Sequence, residues 1–220
     1  MLKKILLVLV VAVAGLLAVV ATRPDTYHVE RSLDIDAPPA TVFSSVADLK
    51  AWAEWSPWEK RDPAMKKTFS ANTAGVGASY AWEGNKDVGK GKMTIVELRA
   101  PEHVAQKLEF IEPFQAVADT AIDLKPAANG GSHATWSMDG KSNFVGKAFS
   151  LVMSMDKTVG KDFEEGLGNL KRISEAKKLA ELKQAAEAAA AAATVAAKAA
   201  ADAAAALPAP AAAPAPGKKK

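Results

Sequence analysis

The pattern of apolar and polar positions changes character several times along the chain. Residues 5–21 are apolar without a break, and no polar stripe marks any face of a helix drawn through them. Residues 26–36, TYHVERSLDID, alternate instead: Tyr27, Val29, Arg31 and Leu33 share one face of a strand, and His28, Glu30, Ser32 and Asp34 the other. Pro38 and Pro39 end that strand, and Pro39 suits the first turn of a helix to Leu49, with Val42, Phe43, Val46 and Leu49 at helical spacing. Six more alternating segments follow, at 65–71, 78–84, 91–99, 104–111, 115–125 and 132–140. The turns between them are short and rich in Gly, Pro and Asn, which predicts an antiparallel meander. From Gly146 the spacing becomes helical again, with Phe149, Val152, Met153, Phe163, Leu167 and Leu170 on one stripe.

The alternation also assigns the faces of the sheet. Tyr80 with Trp82, Met93 with Ile95, Leu108 with Phe110, Ile122 with Leu124, and Trp136 with Met138 fall on one apolar side. That side needs a cover, and the stripe of the C-terminal helix is the natural one. Two residues break the stripe: Asp156 and Gly160 fall in its middle. A buried carboxylate is costly unless paired, and a mid-helix glycine costs about 1 kcal/mol relative to alanine. Two explanations compete. Asp156 holds a neighbouring chain while Gly160 permits close packing, or Gly160 opens space that Asp156 lines, to orient a ligand or transfer a proton. Trp52, Trp55 and Trp58 form a second cluster, read either as a plug for one end of the core or as the wall of a pocket.

The ends have their own chemistry. The apolar run is at the short end of a membrane span, and Lys3 and Lys4 before it favour a cytoplasmic amino terminus. Val19-Val20-Ala21 also offers small residues to a signal peptidase, but the run exceeds the usual signal core of about 7–15 residues. An uncleaved anchor is therefore expected, with a cleaved signal and secretion as the alternative. Between 185 and 206, 17 of 22 residues are Ala, which predicts an exposed helix; an Ala/Pro spacer then leads to Lys218, Lys219 and Lys220. The net charge of +3 belongs to these ends, because without their five lysines the remainder carries −2. No basic face is available for nucleic acid. Cysteine is absent and only His28, His103 and His133 occur, on strand positions that read as surface, so neither metal nor cofactor is expected. HExxH, GxxxxGK[ST] and GxSxG are all missing, which disfavours a metalloprotease, a P-loop enzyme and a serine hydrolase.

The order of strand, short helix, long meander and long helix resembles the START-like, helix-grip superfamily, also called SRPBCC. The resemblance is carried by YHVERSLDIDAPP at 27–39, ATVFSSVADLKAWAEWS at 40–56, and GVGASYAW at 75–82. GKDFEEGLGNL at 160–170 is similar to the last helix of membrane-anchored bacterial polyketide cyclase/dehydrase-like members. The resemblance implies an α+β fold in which a curved seven-stranded antiparallel sheet grips the C-terminal helix around an apolar cavity. Placed on this chain, it implies ligand contacts from Trp55, Trp58, Tyr80, Trp82, Met93, Phe110, Trp136, Phe149, Met153, Asp156 and Gly160. The expected organisation is an anchor at 1–23, the START-like domain at 24–176, an Ala-rich helix at 177–206 and a tail at 207–220. The expected function is binding or transport of a small hydrophobic ligand, in a domain held outside the cytoplasm on a bacterial inner membrane. The alternatives are a cyclase or dehydratase using the same cavity, for which no catalytic set maps onto this chain, and a ligand-free module meeting an envelope partner through its lysine tail.

Overall fold

The computed structural model describes residues 1–151 and 153–205, with side chains through residue 203. Val152 of the predicted stripe, the Ala/Pro spacer and the three terminal lysines lie outside the described residues. The chain divides into one compact unit, Met1–Lys178, and a second unit from Leu179 onward. The second unit is helical through Ala205, and every described side chain in it is exposed.

The first unit begins with helix α1, Leu2–Ala21, which is long and apolar enough to cross a membrane and in which only Val20 is buried. Strand β1, Thr26–Ile35, follows after four residues. Helix α2, Pro39–Val46, starts at its proline and stops short of Leu49; a 3-10 turn at Ala51–Glu54 and helix α3, Pro57–Arg61, bring the chain to the meander. Strands β2 (Lys66–Phe69), β3 (Ser79–Glu83), β4 (Lys90–Arg99), β5 (His103–Glu112), β6 (Ala116–Pro126) and β7 (Ser132–Lys141) then form one antiparallel sheet with β1. The order across it is β1-β7-β6-β5-β4-β3-β2, so β1 pairs with the last strand and the rest lie in sequence order. The expected fold class is therefore the observed one.

The C-terminal helix is not one piece. Helix α4, Phe144–Phe149, is short, capped by the Asn143 side chain accepting from the Gly146 backbone N–H, and separated from helix α5, Met155–Ala205. The interruption moves Phe149 and Met153 off the helix face that covers the sheet. They are 52% and 57% exposed, whereas Phe163, Leu167 and Leu170 of α5 are buried. The predicted stripe thus holds from Phe163 onward and fails before the break.

The sheet and α5 meet at Trp136 on β7. Its indole stacks on Phe163 at 4.1 Å between centroids and 6° between planes, and touches Trp52, Trp55 and Trp58 edge-on. Its N–H donates to Thr120 Oγ1 at 3.0 Å, and the Thr120 hydroxyl donates to the Ser137 carbonyl. Gly166 makes this contact possible, because a Cβ there would lie 2.6 Å from the Trp136 ring. Trp52 and Trp55 complete the packed end of the core by donating their indole N–H groups to the carbonyls of Val46 and Ser45.

The start of α5 is clamped from β1. Arg31, in the apolar register of β1, donates to Asp156 Oδ1 at 2.8 Å and to Glu164 Oε1 at 2.7 Å. Its guanidinium lies where a Cβ of Gly160 would be, so the glycine makes room for the arginine. Arg31 also pulls the Asp156 carboxyl below its ordinary pKa, chiefly by hydrogen bonding. Two buried polar side chains among the described residues have no such partner, Ser174 on α5 and Gln106. Gln106 on β5 is fully buried, and neither its amide oxygen nor its nitrogen is hydrogen-bonded.

Three outcomes check this account. Trp136→Ala should lose about 3–5 kcal/mol in urea unfolding, the range for removing a large core aromatic. Gln106→Leu should stabilise the fold, by about 1–3 kcal/mol, because it removes an unsatisfied buried amide. The Asp156 carboxylate is favoured in the folded state, so it stabilises above its ordinary pKa and its contribution vanishes as pH falls through the lowered value. The stability gap between wild type and Asp156→Asn should therefore be widest at neutral pH and close in strong acid.

Candidate ligand cavity

Where the sheet and α5 are not in direct contact, a cavity of about 420 Å³ remains. Register explains where it lies. Tyr27 of β1 pairs with Gly140 of β7, Gly140 with Ala118 of β6, Ala116 with Phe110 of β5, Phe110 with Gly91 of β4, and Gly91 with Trp82 of β3. These positions form a band across one end of the sheet, and Tyr27, Trp82, Phe110 and Ala116 line the cavity. At the other end, Ile35, Leu124, Val104 and Ile95 are fully buried under α2 and the Trp52–Trp55 segment. The protein is packed solid at one end and hollow at the other.

Two glycines shape the hollow end. A Cβ at Gly91 would run into the Trp82 ring, and one at Gly140 into the Tyr27 ring, so each aromatic lies flat across a neighbouring strand. Trp82 is fixed further by its indole N–H donating to the Val88 carbonyl at 3.1 Å. Phe69, Tyr80, Trp82 and Phe110 form a chain of ring contacts with centroids 5.5–6.0 Å apart. Met93, Leu108, Met138, Val159 and Phe163 add aliphatic and aromatic wall.

Of the eleven residues expected to contact ligand, Trp58, Tyr80, Trp82, Met93, Phe110 and Trp136 line this cavity. The other five do not. Trp55 is 1% exposed within the solid end, with its carbonyl accepting from Asn169. Phe149 and Met153 lie beyond the helix break. Asp156 and Gly160 belong to the Arg31 clamp, so the anomaly in the helical stripe reflects an ion pair from β1 and not a space for ligand. The signal for that pairing was Arg31 itself, a charge in the inward register of its strand. The tryptophan cluster divides between its two readings: Trp55 plugs the core, Trp58 is cavity wall, and Trp52 does both.

The polar groups that reach the cavity are few and mostly paired. Asp162 is ion-paired with Arg61, and Glu59 accepts from Lys67 at 2.6 Å. Both carboxylates line the cavity, as does Tyr80, whose phenol is pushed well above its usual pKa by burial and then by the Glu59 charge. Sequence reading missed Arg61, Asp162 and Glu59, because charges on a short helix and on the flank of an apolar stripe look like ordinary surface. The three histidines lie on the other side of the sheet. Each meets the aspartate directly opposite it: His28 with Asp139, His103 with Asp123, and His133 with Asp34, at 2.7–2.8 Å. The Asp139 hydrogen bond raises the pKa of His28.

Solved structures share this architecture at low sequence identity. A Helicobacter pylori protein superposes with a TM-score of 0.52 at 14% identity, over 67% of this chain and 88% of its own. A Nitrosospira multiformis protein gives 0.50 at 17% identity, over 66% and 94%. The di-domain ARO/CYC protein BexL, from a biosynthetic pathway, gives 0.50 at 14% identity, over 72% of this chain and 53% of BexL. These likenesses show the helix-grip fold. No curated protein sequence matches the chain. The family described as polyketide cyclase / dehydrase and lipid transport matches residues 26–175, from the first residue of β1 to the turn of α5 that seals the core, and the chain belongs to that family.

Proposed function

We propose that this protein binds a small hydrophobic molecule in the cavity between its sheet and α5, and that α1 holds it in a membrane. The cavity carries the reading. Its walls are mainly Trp, Tyr, Phe, Met and Leu side chains, with charges that are mostly paired and with Lys86 and Asp87 on the β3–β4 side, a make-up that suits an apolar ligand. Trp136 and Met138 line the space without filling it, which argues against a module with a closed core. Family membership and the shared fold point the same way. On this reading the ligand-binding part is the expected domain at 24–176. Lys3 and Lys4 ahead of α1 favour an amino terminus in the cytoplasm, which would place the domain on the outer side of a bacterial inner membrane.

Cyclase or dehydratase chemistry is the second reading, and it rests on Glu59, Asp162 and Tyr80 facing the cavity. Binding is favoured because three of the four carboxylates that line the cavity, Glu59, Glu112 and Asp162, are each held in an ion pair, whereas a proton-transfer step needs a group free to exchange its proton with the ligand.

The test is native mass spectrometry of the full chain extracted from membranes in mild detergent. A bound lipid-sized mass is expected, and it should be lost in Leu108→Trp, which places an indole inside the cavity. The urea midpoint of that variant should stay near wild type. A wild-type protein that carries no ligand and takes up no added fatty acid would sink the reading.

A further inference from the structure

The exposed apolar side chains of the first unit are not scattered. Outside α1, the large ones among the described residues are Val76, Val96 and eight residues confined to 111–117 and 144–155. The two segments adjoin. Phe114 and Phe149, 62% and 52% exposed, place their rings 6.2 Å apart. They also adjoin the cavity, because Phe114 and the exposed Met155 both line it. The apolar cluster is therefore the rim of the cavity mouth on its α4 side, while Lys86 and Asp87 stand on the β3–β4 side. A contiguous exposed apolar rim of this kind marks an interaction surface.

The position of α1 identifies what the rim meets. Only residues 22–25 separate α1 from β1, a reach of at most about 14 Å when fully extended. That link is also pinned: the Asp25 carbonyl accepts from the Ser142 backbone N–H at 2.8 Å, and its carboxylate pairs with Lys147 on α4. Helix α1 packs against α4, the helix that carries Phe144, Val145 and Phe149. The strand ends that surround the hollow end of the sheet are those at which β1 begins and β7 ends. The anchor, the apolar rim and the cavity mouth therefore share one end of the molecule.

We propose that 111–117 and the α4 segment, with Met153 and Met155, form an apolar collar seated in the lipid–water interface of the bilayer that α1 spans, so that the cavity opens onto lipid. Aromatic and aliphatic side chains displayed beside the end of a membrane helix suit that interface. The proposal rests on the reading of α1 as a membrane span and of the cavity as a ligand site. It adds that the ligand comes from, or returns to, the bilayer without crossing water.

The absence of cysteine allows clean single-site labelling. Phe114→Cys, Phe149→Cys, Leu9→Cys and Ala128→Cys, each in the full chain and labelled with nitrobenzoxadiazole, would be reconstituted into phosphatidylethanolamine–phosphatidylglycerol vesicles with and without brominated acyl chains. Ala128 lies in the β6–β7 turn, at the solid end of the sheet. Quenching is expected at positions 9, 114 and 149 and not at 128. Quenching at 9 alone would overturn the collar while leaving the anchor intact. No quenching at 9 would overturn the anchor and the collar together. Neither result depends on whether the cavity retains a ligand through purification, so failure of the binding reading is read separately by mass spectrometry.

Discussion

Everything in the first unit is arranged around the stack of Trp136 on Phe163. A sheet can be covered by a helix in many registers, and apolar burial alone does not choose among them. Two flat rings 4.1 Å apart, with three more tryptophans edge-on to one of them and Gly166 beneath it, do choose. The hydrogen bond from the indole to Thr120 ties the stack to β6 as well as β7, so the helix is registered against these two strands next to β1. Trp136 also stands at the boundary between two regimes, with close-packed side chains on one side of it and open space on the other.

That open space needs support, because apolar walls without a filling tend to collapse toward one another. Here the supports are polar. Arg31 holds the first turns of α5 through Asp156 and Glu164, and Lys171, Lys178 and Glu175 hold later turns through Asp34 and Asp36 at the far end of β1. Arg61 and Asp162 brace α3 against α5 across the cavity wall. Individually, the exposed pairs among these contribute little to stability, whereas Asp162 is buried. Their role is geometric: they fix the distance between helix and sheet where no hydrophobic contact does so.

Much of this was legible in the chain. Period-two alternation located all seven strands to within about three residues and assigned the inward faces of β3 to β7, because each of these strands has one wet side and one dry side. Five of the proposed ligand contacts, Tyr80, Trp82, Met93, Phe110 and Trp136, follow from that face assignment alone, and Trp58 follows from the tryptophan cluster. The errors have a common origin. A helical stripe was continued past Phe149, where α4 ends, and both Phe149 and Met153 are exposed. Periodicity cannot distinguish an apolar residue that faces the core from one exposed on the surface. Asp156 and Gly160 were rightly seen as anomalous, but the explanation lay some 125 residues away in Arg31, and a pairing over that separation is a property of the fold.

The glycines beneath the cavity aromatics carry a consequence for how such a protein can change. Tyr27, Trp82 and Trp136 each rest on a missing side chain, at Gly140, Gly91 and Gly166. A single methyl at any of these positions would lift the ring above it, and at Gly91 and Gly140 the ring would move toward the cavity. The shape of the cavity is thus set partly by residues that never touch it. Descendants of this chain could alter the size of the cavity through glycine-to-alanine exchanges in the floor, keeping every wall residue in place.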